Sequence, residues 1–330
     1  MTADGAATAA ADPGSLAREL KRPWLSMPAS VRARVEHELR GQVVSAITQA
    51  GGFSPGVAAR LLLAGGDRAF VKAVALETNP DSPAMYRTEA IITASLPPGI
   101  APRLLATFEA DGWVVLILED IDGRLPARPW QPSELDRVLQ AVTGLAQALT
   151  PAPASVPAPC IAEALDQDFR GWRRLRTARD SGTDLAGLDP WAQRNLARLA
   201  ELETAWEEAA NGGTLAHCDL RSDNLLLTSD HVYVIDWPAA CIAQPWFDLV
   251  CMLPSIQLDG GPPPEVICAA HPLIQAADPD AVTAVAAALT GYFVDGSRRS
   301  PPPGLPTLRA FQRAQGGIGL TWLRLRTGWE

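Results

Sequence analysis

The stretch HCDLRSDNLLLTSDHVYVIDW, residues 217–237, carries the densest group of polar side chains in the sequence. Its two apolar runs, LLL and VYVI, predict an antiparallel hairpin joined by a polar turn. Asn224 directly precedes the first strand and Asp236 directly follows the second, so antiparallel pairing brings their side chains to the same end. An amide oxygen beside a carboxylate suits a hard cation such as Mg²⁺. Asp219, on the loop that faces this end, can accept a proton from a hydroxyl group.

Upstream of this stretch, short apolar runs bounded by turn residues predict strands. The expected strands are residues 43–48, 57–63, 69–74, 103–108 and 113–118. A helix at residues 82–96 follows the third strand, and an acidic connector at residues 119–123 follows the fifth. A further helix fits residues 28–40, where apolar residues recur on one face. This part of the chain therefore predicts a small antiparallel sheet with an inserted helix.

After the connector the pattern becomes helical. We expect a helix at residues 133–149 that is capped by the Ser133 hydroxyl. Two more helices are expected at residues 160–179 and 190–210, and Asp189 is the predicted cap of the second. The proline-rich residues 151–159 predict a loop.

Together these patterns predict an α+β protein of two lobes. The N-lobe is a small antiparallel β-sheet with one helix, at residues 23–122, and the C-lobe is larger and mainly helical, at residues 123–330. The alanine-rich residues 1–22 are expected to form a flexible tail.

The spacing of His217, Asp219, Asn224 and Asp236 resembles that of the kinase-like phosphotransferases. In detail it is more similar to the aminoglycoside phosphotransferase (phosphotransferase enzyme) family than to the protein kinases. His-Cys-Asp stands where protein kinases have His-Arg-Asp, Ile-Asp-Trp replaces Asp-Phe-Gly, and the sequence contains no Ala-Pro-Glu. The run QPWFDL fits the family's next element, Pro-x-x-Asp-Leu, in which the aspartate, here Asp248, braces the catalytic loop.

This resemblance implies a bilobal protein-kinase-like fold and a reaction that uses ATP (or GTP) and Mg²⁺. The γ-phosphoryl group passes to a hydroxyl of a small molecule. The resemblance implies that Asp219 is the catalytic base and that Asn224 and Asp236 are the metal ligands. It also implies that the N-lobe binds the nucleotide and that the C-lobe carries catalysis and binds the acceptor.

Lys72 is one of only two lysines among the 28 basic residues. By resemblance it holds the α- and β-phosphates of the nucleotide, where the geometry of a guanidinium would be unsuitable. Its expected partner is Glu89, which falls inside the apolar stripe of the helix predicted at residues 82–96. Two alternatives stay open: Glu89 lies at the edge of that stripe and reaches solvent, or Glu77 pairs with Lys72.

Two further nucleotide contacts follow from the resemblance. The loop GGFSPG stands at the position of the family's nucleotide-covering loop, so Ser54 and nearby backbone amides are expected to contact phosphate. This loop lacks Gly-x-Gly-x-x-Gly, and a tight hairpin would have a similar composition. The connector stands at the hinge position, where backbone groups of Glu119 and Ile121 are expected to bind the base.

Two other functions compete with this interpretation. GFSPG matches the Gly-x-Ser-x-Gly motif of serine hydrolases, but a strand follows it where that motif requires a helix. The second alternative is a kinase-like protein that binds nucleotide without catalysis. An enzyme is favoured because all the residues that transfer requires are present, namely Lys72, Glu89, Asp219, Asn224 and Asp236.

The composition argues against several classes of protein. A net charge of −9 provides no basic surface for nucleic acid, and the longest apolar stretch, residues 284–294, is too short to cross a membrane. Five cysteines without a Cys-x-x-Cys pair predict neither a disulfide framework nor a zinc site. A signal peptide is not expected, so the predicted location is the cytoplasm.

The distribution of charge also bears on the acceptor. By resemblance the acceptor site is built largely from the C-terminal helices, and residues 255–330 contain six acidic residues and six arginines. A polycationic aminoglycoside requires a surplus of carboxylates around it. We therefore expect a small-molecule acceptor that is neutral or singly charged.

Overall fold

The computed structural model describes residues 21–49, 56–78, 81–302 and 305–330. The chain divides into two compact units. One comprises the described residues up to Tyr86 together with Leu104–Asp120, and the other comprises Arg87–Arg103 and Ile121–Glu330. Residues 1–20 of the predicted tail lie outside the described residues. The α+β class is confirmed.

The described residues of the first unit form an antiparallel sheet of five strands in the order β1-β2-β3-β5-β4. The strands are β1 (Val43–Thr48), β2 (Val57–Leu63), β3 (Arg68–Ala75), β4 (Leu104–Ala110) and β5 (Trp113–Glu119). The central strand β3 pairs along its length with β2 and β5. All five strands were predictable to within one or two residues because turn residues bound each apolar run.

The segment before β1 covers one face of this sheet. It consists of a 3-10 turn at Trp24–Ser26 and helix α1 (Ala29–Leu39). Val31 and Val35 of α1 are fully buried and share a core with alternate residues of the central strands. These strand residues are Val57, Ala59 and Leu61 of β2, Ala69, Val71 and Ala73 of β3, and Val115 and Ile117 of β5. Their spacing of two places them on one face, as the pleat of a strand requires.

Helix α2 (Asp81–Ser95) follows β3, and the division between the units falls within it, after Tyr86. Residues 87–103 thus belong to the second unit, which differs from the expected N-lobe at residues 23–122. The physical reason is packing, because Ile92 and Ala101 are buried in the hydrophobic core of the second unit.

The second unit is mainly helical. Its helices are α3 (Pro132–Ala148), α4 (Ile161–Leu165), α5 (Gly171–Asp180), α6 (Pro190–Arg194), α7 (Leu196–Thr204), α8 (Trp206–Ala210), α9 (Phe247–Leu258), α10 (Pro264–Cys268), α11 (Pro272–Gln275), α12 (Pro279–Ser297) and α13 (Leu308–Thr327). Two short antiparallel ladders pair β6 (Thr214–Ala216) with β9 (Cys241–Ala243) and β7 (Leu225–Leu227) with β8 (Val232–Val234). None of the described helices combines the length and apolarity that crossing a membrane requires.

The N-terminus of α3 differs from the prediction. The helix begins at Pro132, Gln131 occupies the N-cap position, and no side chain caps the helix. The prediction that Ser133 is the cap is therefore wrong. Proline is favoured at the first helical position because the N–H that it lacks would have no partner within the helix.

The helix predicted at residues 190–210 is three helices, α6 to α8, in the structure. The first break falls at Asn195, whose Nδ2 donates to the carbonyl oxygens of Trp191 at 3.1 Å and Glu330 at 2.9 Å. A side chain that bonds the backbone in this way competes with helix continuation. The predicted cap is confirmed, because the Asp189 carboxylate accepts hydrogen bonds from two backbone N–H groups of α6.

The helix predicted at residues 160–179 is likewise divided, into α4 and α5. At the start of α5, the buried carboxylate of Glu203 accepts the backbone N–H groups of Trp172 and Arg173, each at 2.9 Å. Burial raises the pKa of Glu203 despite these hydrogen bonds. A carboxylate from α7 therefore caps α5, which is a tertiary contact with no local sequence signal.

Helices α5 and α12 approach each other through glycine. A Cβ atom added to Gly171 would lie 2.0 Å from the carbonyl oxygen of Gly291 and 2.8 Å from the backbone nitrogen of Tyr292. Rigid backbone cannot yield as a flexible side chain can, so even one methyl group forces the two helices apart.

We expect Gly171→Ala to lower the stability of the protein by about 1–3 kcal/mol through this overpacking. The matched control is Gly144→Ala, at an exposed position in the C-terminal half of α3, where an added Cβ meets no atom within 4 Å. Alanine should raise stability there by about 0.5–1 kcal/mol. Thermal unfolding of the two variants beside the wild type measures both effects. Equal midpoints for Gly171→Ala and the wild type would contradict the close approach.

Cys218 and Cys241 form a disulfide in the second unit. The expectation that the cysteines form no disulfide framework is therefore wrong for this pair. The β6–β9 ladder places Ala216 opposite Cys241, and the chain needs only two more residues to reach Cys218. The pairing depends on strand contacts between residues 23 positions apart, so cysteine spacing alone could not reveal it.

Candidate active site

The β7–β8 hairpin places Asn224 and Asp236 at one end, as the sequence predicts. Leu225 pairs with Val234, and the backbone N–H of Ile235 donates to the carbonyl oxygen of Asn224 at 3.0 Å. Asp236 follows directly and has a φ of 70°. This is the left-handed region, which aspartate and asparagine occupy more readily than other residues with a Cβ atom.

The Asn224 side chain joins the catalytic loop to this end of the hairpin. Its Nδ2 donates to the carbonyl oxygen of Asp219 at 2.8 Å and to the Asp219 carboxylate at 3.2 Å. The amide nitrogen is therefore engaged within the loop, which leaves the amide oxygen for a cation. With the carboxylate of Asp236 at the same end, the oxygen donors fit Mg²⁺, which takes few protein ligands when it also binds phosphate.

His217 is fully buried and orients the loop that carries Asp219. Its Nδ1 accepts the backbone N–H of Asp219 at 3.3 Å, and its Nε2 lies 3.0 Å from the carbonyl oxygen of Ile235. One imidazole thus links Asp219, the candidate base, with the residue before Asp236. The ring also packs edge-on against Trp237, with centroids 4.8 Å apart. These contacts give His217 a structural role in the loop.

Asp248, at the N-terminal end of α9, braces the same loop. Its carboxylate accepts the backbone N–H groups of His217 at 2.7 Å and Cys218 at 2.8 Å. Cys218 has a φ of 62°, so these bonds hold the backbone in an uncommon conformation directly before Asp219. Burial raises the pKa of Asp248, whereas its interactions with His217 and with the backbone N–H groups of His217 and Cys218 lower it.

The Asp219 carboxylate remains accessible within this frame, with 42% of its side chain exposed. Desolvation by the surrounding protein raises its pKa, whereas Arg221 and His217 lower it. The Asp223 and Asp236 carboxylates raise it further. A half-buried but accessible carboxylate that is held in one orientation and has an elevated pKa is suited to accepting a proton.

Lys72 lies in the middle of the sheet of the first unit. On β3 it pairs with Ala58 of β2 and Leu116 of β5, so its backbone is held on both sides. Its Nζ lies over the ring of Tyr86, 5.3 Å from the centroid. The lysine is thus anchored at its backbone and directed by an aromatic ring near its amine.

The other predicted residues have the following positions. Glu89 is 3% exposed and lies on α2, three residues after Tyr86, so it is buried rather than at an exposed edge. Glu119 ends β5, and Ile121 is the first residue of the second unit's long segment. Ser54 lies outside the described residues. The hairpin and its loop bring together Asp219, Asn224 and Asp236.

Two groups of residues in the structure were not singled out from the sequence. The Asp120 carboxylate, 2% exposed, bonds Arg60 at 2.6 Å and Arg68 at 2.7 Å, which ties the end of β5 to β2 and β3. In the second unit, Arg221 lies 3.1 Å from the Asp219 carboxylate. Its position two residues after Asp219, the candidate base, was the available signal in the sequence.

The C-terminal helices contribute side chains near Asp219. Burial raises the pKa of Tyr292 on α12, and the Asp168 and Asp219 carboxylates raise it further, whereas a hydrogen bond with Gln312 of α13 lowers it. Helices α12 and α13 therefore lie near the candidate base, in a region that is expected to bind the acceptor.

Comparison with solved structures supports the kinase-like fold that the sequence resemblance implies. A spectinomycin phosphotransferase in complex with ADP and spectinomycin aligns with a TM-score of 0.55 and 11% identity, over 88% of this chain and 93% of that one. A candidate fructosamine-3-kinase from Thermobifida fusca aligns with a TM-score of 0.55 and 19% identity, over 89% of this chain and 100% of that one. A choline/ethanolamine kinase family protein from Mesorhizobium loti aligns with a TM-score of 0.55 and 15% identity, over 90% of this chain and 98% of that one. At these identities the likeness establishes the kinase-like fold.

The sequence comparisons establish the family. No curated protein sequence matches the chain significantly. The profile of the phosphotransferase enzyme family (APH) matches residues 49–285, which include β2 to β9 and the whole catalytic loop. A match over more than half of the chain shows that this protein belongs to the phosphotransferase enzyme family.

Proposed function

We propose that the protein is an ATP- (or GTP-) and Mg²⁺-dependent kinase that transfers the γ-phosphoryl group to a hydroxyl of a small molecule. One observation carries the proposal: the half-buried, accessible Asp219 carboxylate is fixed by Asn224, at the hairpin end where Asp236 also lies. A base beside oxygen ligands for a divalent cation is the minimum that phosphoryl transfer needs, because positioning and charge neutralisation supply most of its catalysis.

The proposed reaction forms a bond between the acceptor oxygen and the γ-phosphorus. The bond from that phosphorus to the bridging oxygen breaks, the diphosphate nucleotide leaves, and the hydroxyl proton passes to Asp219. Asn224 and Asp236 would hold Mg²⁺, which neutralises charge on the phosphate oxygens when bound. His217 and Asp248 keep the loop in the shape that presents the base.

Lys72 is proposed to align the α- and β-phosphates, with Glu89 as its partner. We expect Lys72→Arg to lower kcat/KM by about two orders of magnitude, because a forked guanidinium cannot replace a compact ammonium at a fixed strand position. Lys21→Arg, the same change at the other lysine, is the matched control and should leave kcat/KM unchanged. Steady-state kinetics and thermal unfolding of both variants provide the test. Full activity in Lys72→Arg would remove Lys72 from the proposed site.

The acceptor is proposed to be neutral or singly charged. The balance of six acidic residues and six arginines in residues 255–330 supports this. So does the pairing of one of these acidic residues, because Arg174 bonds Asp295 at 2.9 Å and Arg299 pairs with the same carboxylate. Carboxylates that are already paired are poor receptors for a polycation.

A nucleotide-consumption screen tests the function and the acceptor class together. The panel comprises aminoglycosides, macrolides, amino alcohols such as choline, and sugars including fructosamines, each with ATP and with GTP in Mg²⁺. We expect turnover of a neutral or singly charged alcohol, with its phosphorylated product identified by mass spectrometry. Efficient turnover of kanamycin-like polycations would contradict the charge argument. Tight nucleotide binding without turnover across the panel would favour the non-catalytic alternative.

A further inference from the structure

The guanidinium of Arg221 joins two carboxylates of the catalytic loop. Its Nη1 lies 3.1 Å from Oδ1 of Asp219, while its Nε and Nη2 donate to the two carboxylate oxygens of Asp223 at 3.0 and 3.1 Å. The Arg221 side chain is only 20% exposed. Burial alone would lower the pKa of Arg221, but the two carboxylates raise it above its ordinary value, so the side chain stays charged.

The contact with Arg221 gives the Asp219 carboxylate, the candidate base, a second side-chain partner. Oδ1 of Asp219 faces Arg221, and Oδ2 accepts Nδ2 of Asn224 at 3.2 Å. With one partner at each oxygen, rotation of the carboxylate about its Cβ–Cγ bond is restricted. Without Arg221, the amide of Asn224 would be the remaining hydrogen-bond partner of the carboxylate among the side chains of the described residues.

Arg221 is itself held from a second direction. Its guanidinium carbon lies 5.7 Å from the centroid of the Phe311 ring, on α13. The fork on Asp223 and this ring together fix the plane of the guanidinium. A lysine could not reproduce the arrangement, because one ammonium cannot make a bidentate contact with Asp223 and also reach Asp219.

We propose that Arg221 is a positioning residue, which sets the orientation of the Asp219 carboxylate and links it, through Phe311, to helix α13. This inference rests on the proposed role of Asp219 as the base. The role of Asp219 as the base does not by itself require an arginine at position 221. The inference adds that requirement, because a guanidinium contacts Asp219 and Asp223 at once. A general base misplaced by about 1 Å costs on the order of a hundredfold in rate, so the effect should be large.

The kinetic test compares Arg221→Lys with Arg313→Lys. Arg313 is an exposed arginine on α13, two residues after Phe311, and serves as the matched control. We expect Arg221→Lys to lower kcat by about 10- to 100-fold, with the KM for nucleotide unchanged. If no acceptor is known, nucleotide hydrolysis with water as the acceptor supplies the rate. An unchanged kcat, or a loss confined to KM, would overturn the proposal.

A double-mutant comparison shows whether Arg221 acts through Asp219. In the Asp219→Asn background, Arg221→Lys should cause no further loss, because there is no longer a base to orient. Additive losses would overturn the proposal. Phe311→Leu, which removes the ring but keeps an apolar side chain, should reduce kcat in the same direction as Arg221→Lys and by less. No effect on kcat from Phe311→Leu would contradict the link to α13.

A structural readout separates this inference from the proposed function. In crystal structures of the wild type and Arg221→Lys, we expect the Asp219 carboxylate to rotate away from its wild-type orientation in the variant, while His217 and Asp248 keep their hydrogen bonds to the loop. An unmoved carboxylate would overturn the proposal even if the protein phosphorylates its acceptor. A rotated carboxylate would support it even if the screen finds no acceptor.

Discussion

Asp219→Asn is expected to lower kcat by about 10²- to 10⁴-fold, the range typical of losing a general base. The change keeps the size of the side chain and an oxygen atom, but removes the negative charge that accepts the hydroxyl proton. Magnesium-dependent nucleotide binding should stay within about a factor of two, since Asp219 is not among the proposed metal ligands. Single-turnover kinetics and equilibrium nucleotide binding separate the two effects.

The control for this variant is Asp230→Asn, the same substitution on the exposed turn of the β7–β8 hairpin. The Asp230 carboxylate accepts hydrogen bonds from the Thr228 and Ser229 hydroxyls of its own turn, so its replacement should leave kcat and nucleotide binding unchanged. If Asp219→Asn retained wild-type kcat, another group would have to accept the proton. If it lost nucleotide binding as well as turnover, the charge of Asp219 would belong to the metal site.

The parts of the structure that the sequence predicts well are those that short-range patterns control. The five strands follow from apolar runs bounded by turn residues, and the ends of the β7–β8 hairpin follow from the polar residues at either side. The position of Asn224 opposite the end of β8 then needs only antiparallel geometry. This explains why the proximity of the three candidate residues Asp219, Asn224 and Asp236 was predictable from the sequence.

Apart from the misassigned N-cap of α3, the errors have a common physical origin, which is contact between residues far apart in sequence. The break at Asn195 depends on the carbonyl oxygen of Glu330, and the start of α5 depends on Glu203 of another helix. The Cys218–Cys241 disulfide depends on the β6–β9 ladder. Local propensity contains no information on such partners, so it predicts continuous helices and unpaired cysteines.

The assignment of part of α2 to the second unit illustrates the same limit. Sequence order suggests that a helix between two strands of a sheet belongs with that sheet. Burial decides otherwise, because Ile92 packs in the core of the helical unit. Glu89 lies in the part of the helix assigned to that unit and Lys72 in the sheet unit, so the predicted pair stays a prediction that the kinetics of Lys72→Arg address.

Asp236→Asn should weaken nucleotide binding in Mg²⁺ by at least about tenfold and lower turnover by at least about a hundredfold, because it removes the proposed charged ligand of the metal. In the absence of divalent cations, the variant and the wild type should bind nucleotide equally. Calorimetric titrations with and without Mg²⁺ measure the difference. Equal Mg²⁺-dependent affinities in the two proteins would exclude Asp236 as the metal ligand.

Asparagine is the better substitution at this position because the φ of Asp236 is 70°. Asparagine tolerates the left-handed region, whereas other residues with a Cβ atom cost about 1–2 kcal/mol there. Asp236→Ala should therefore combine the loss of metal binding with a lower unfolding temperature, and Asp236→Asn should show the first effect with little of the second. If both variants lost Mg²⁺-dependent binding only in proportion to their loss of stability, the carboxylate would serve the loop conformation rather than the metal.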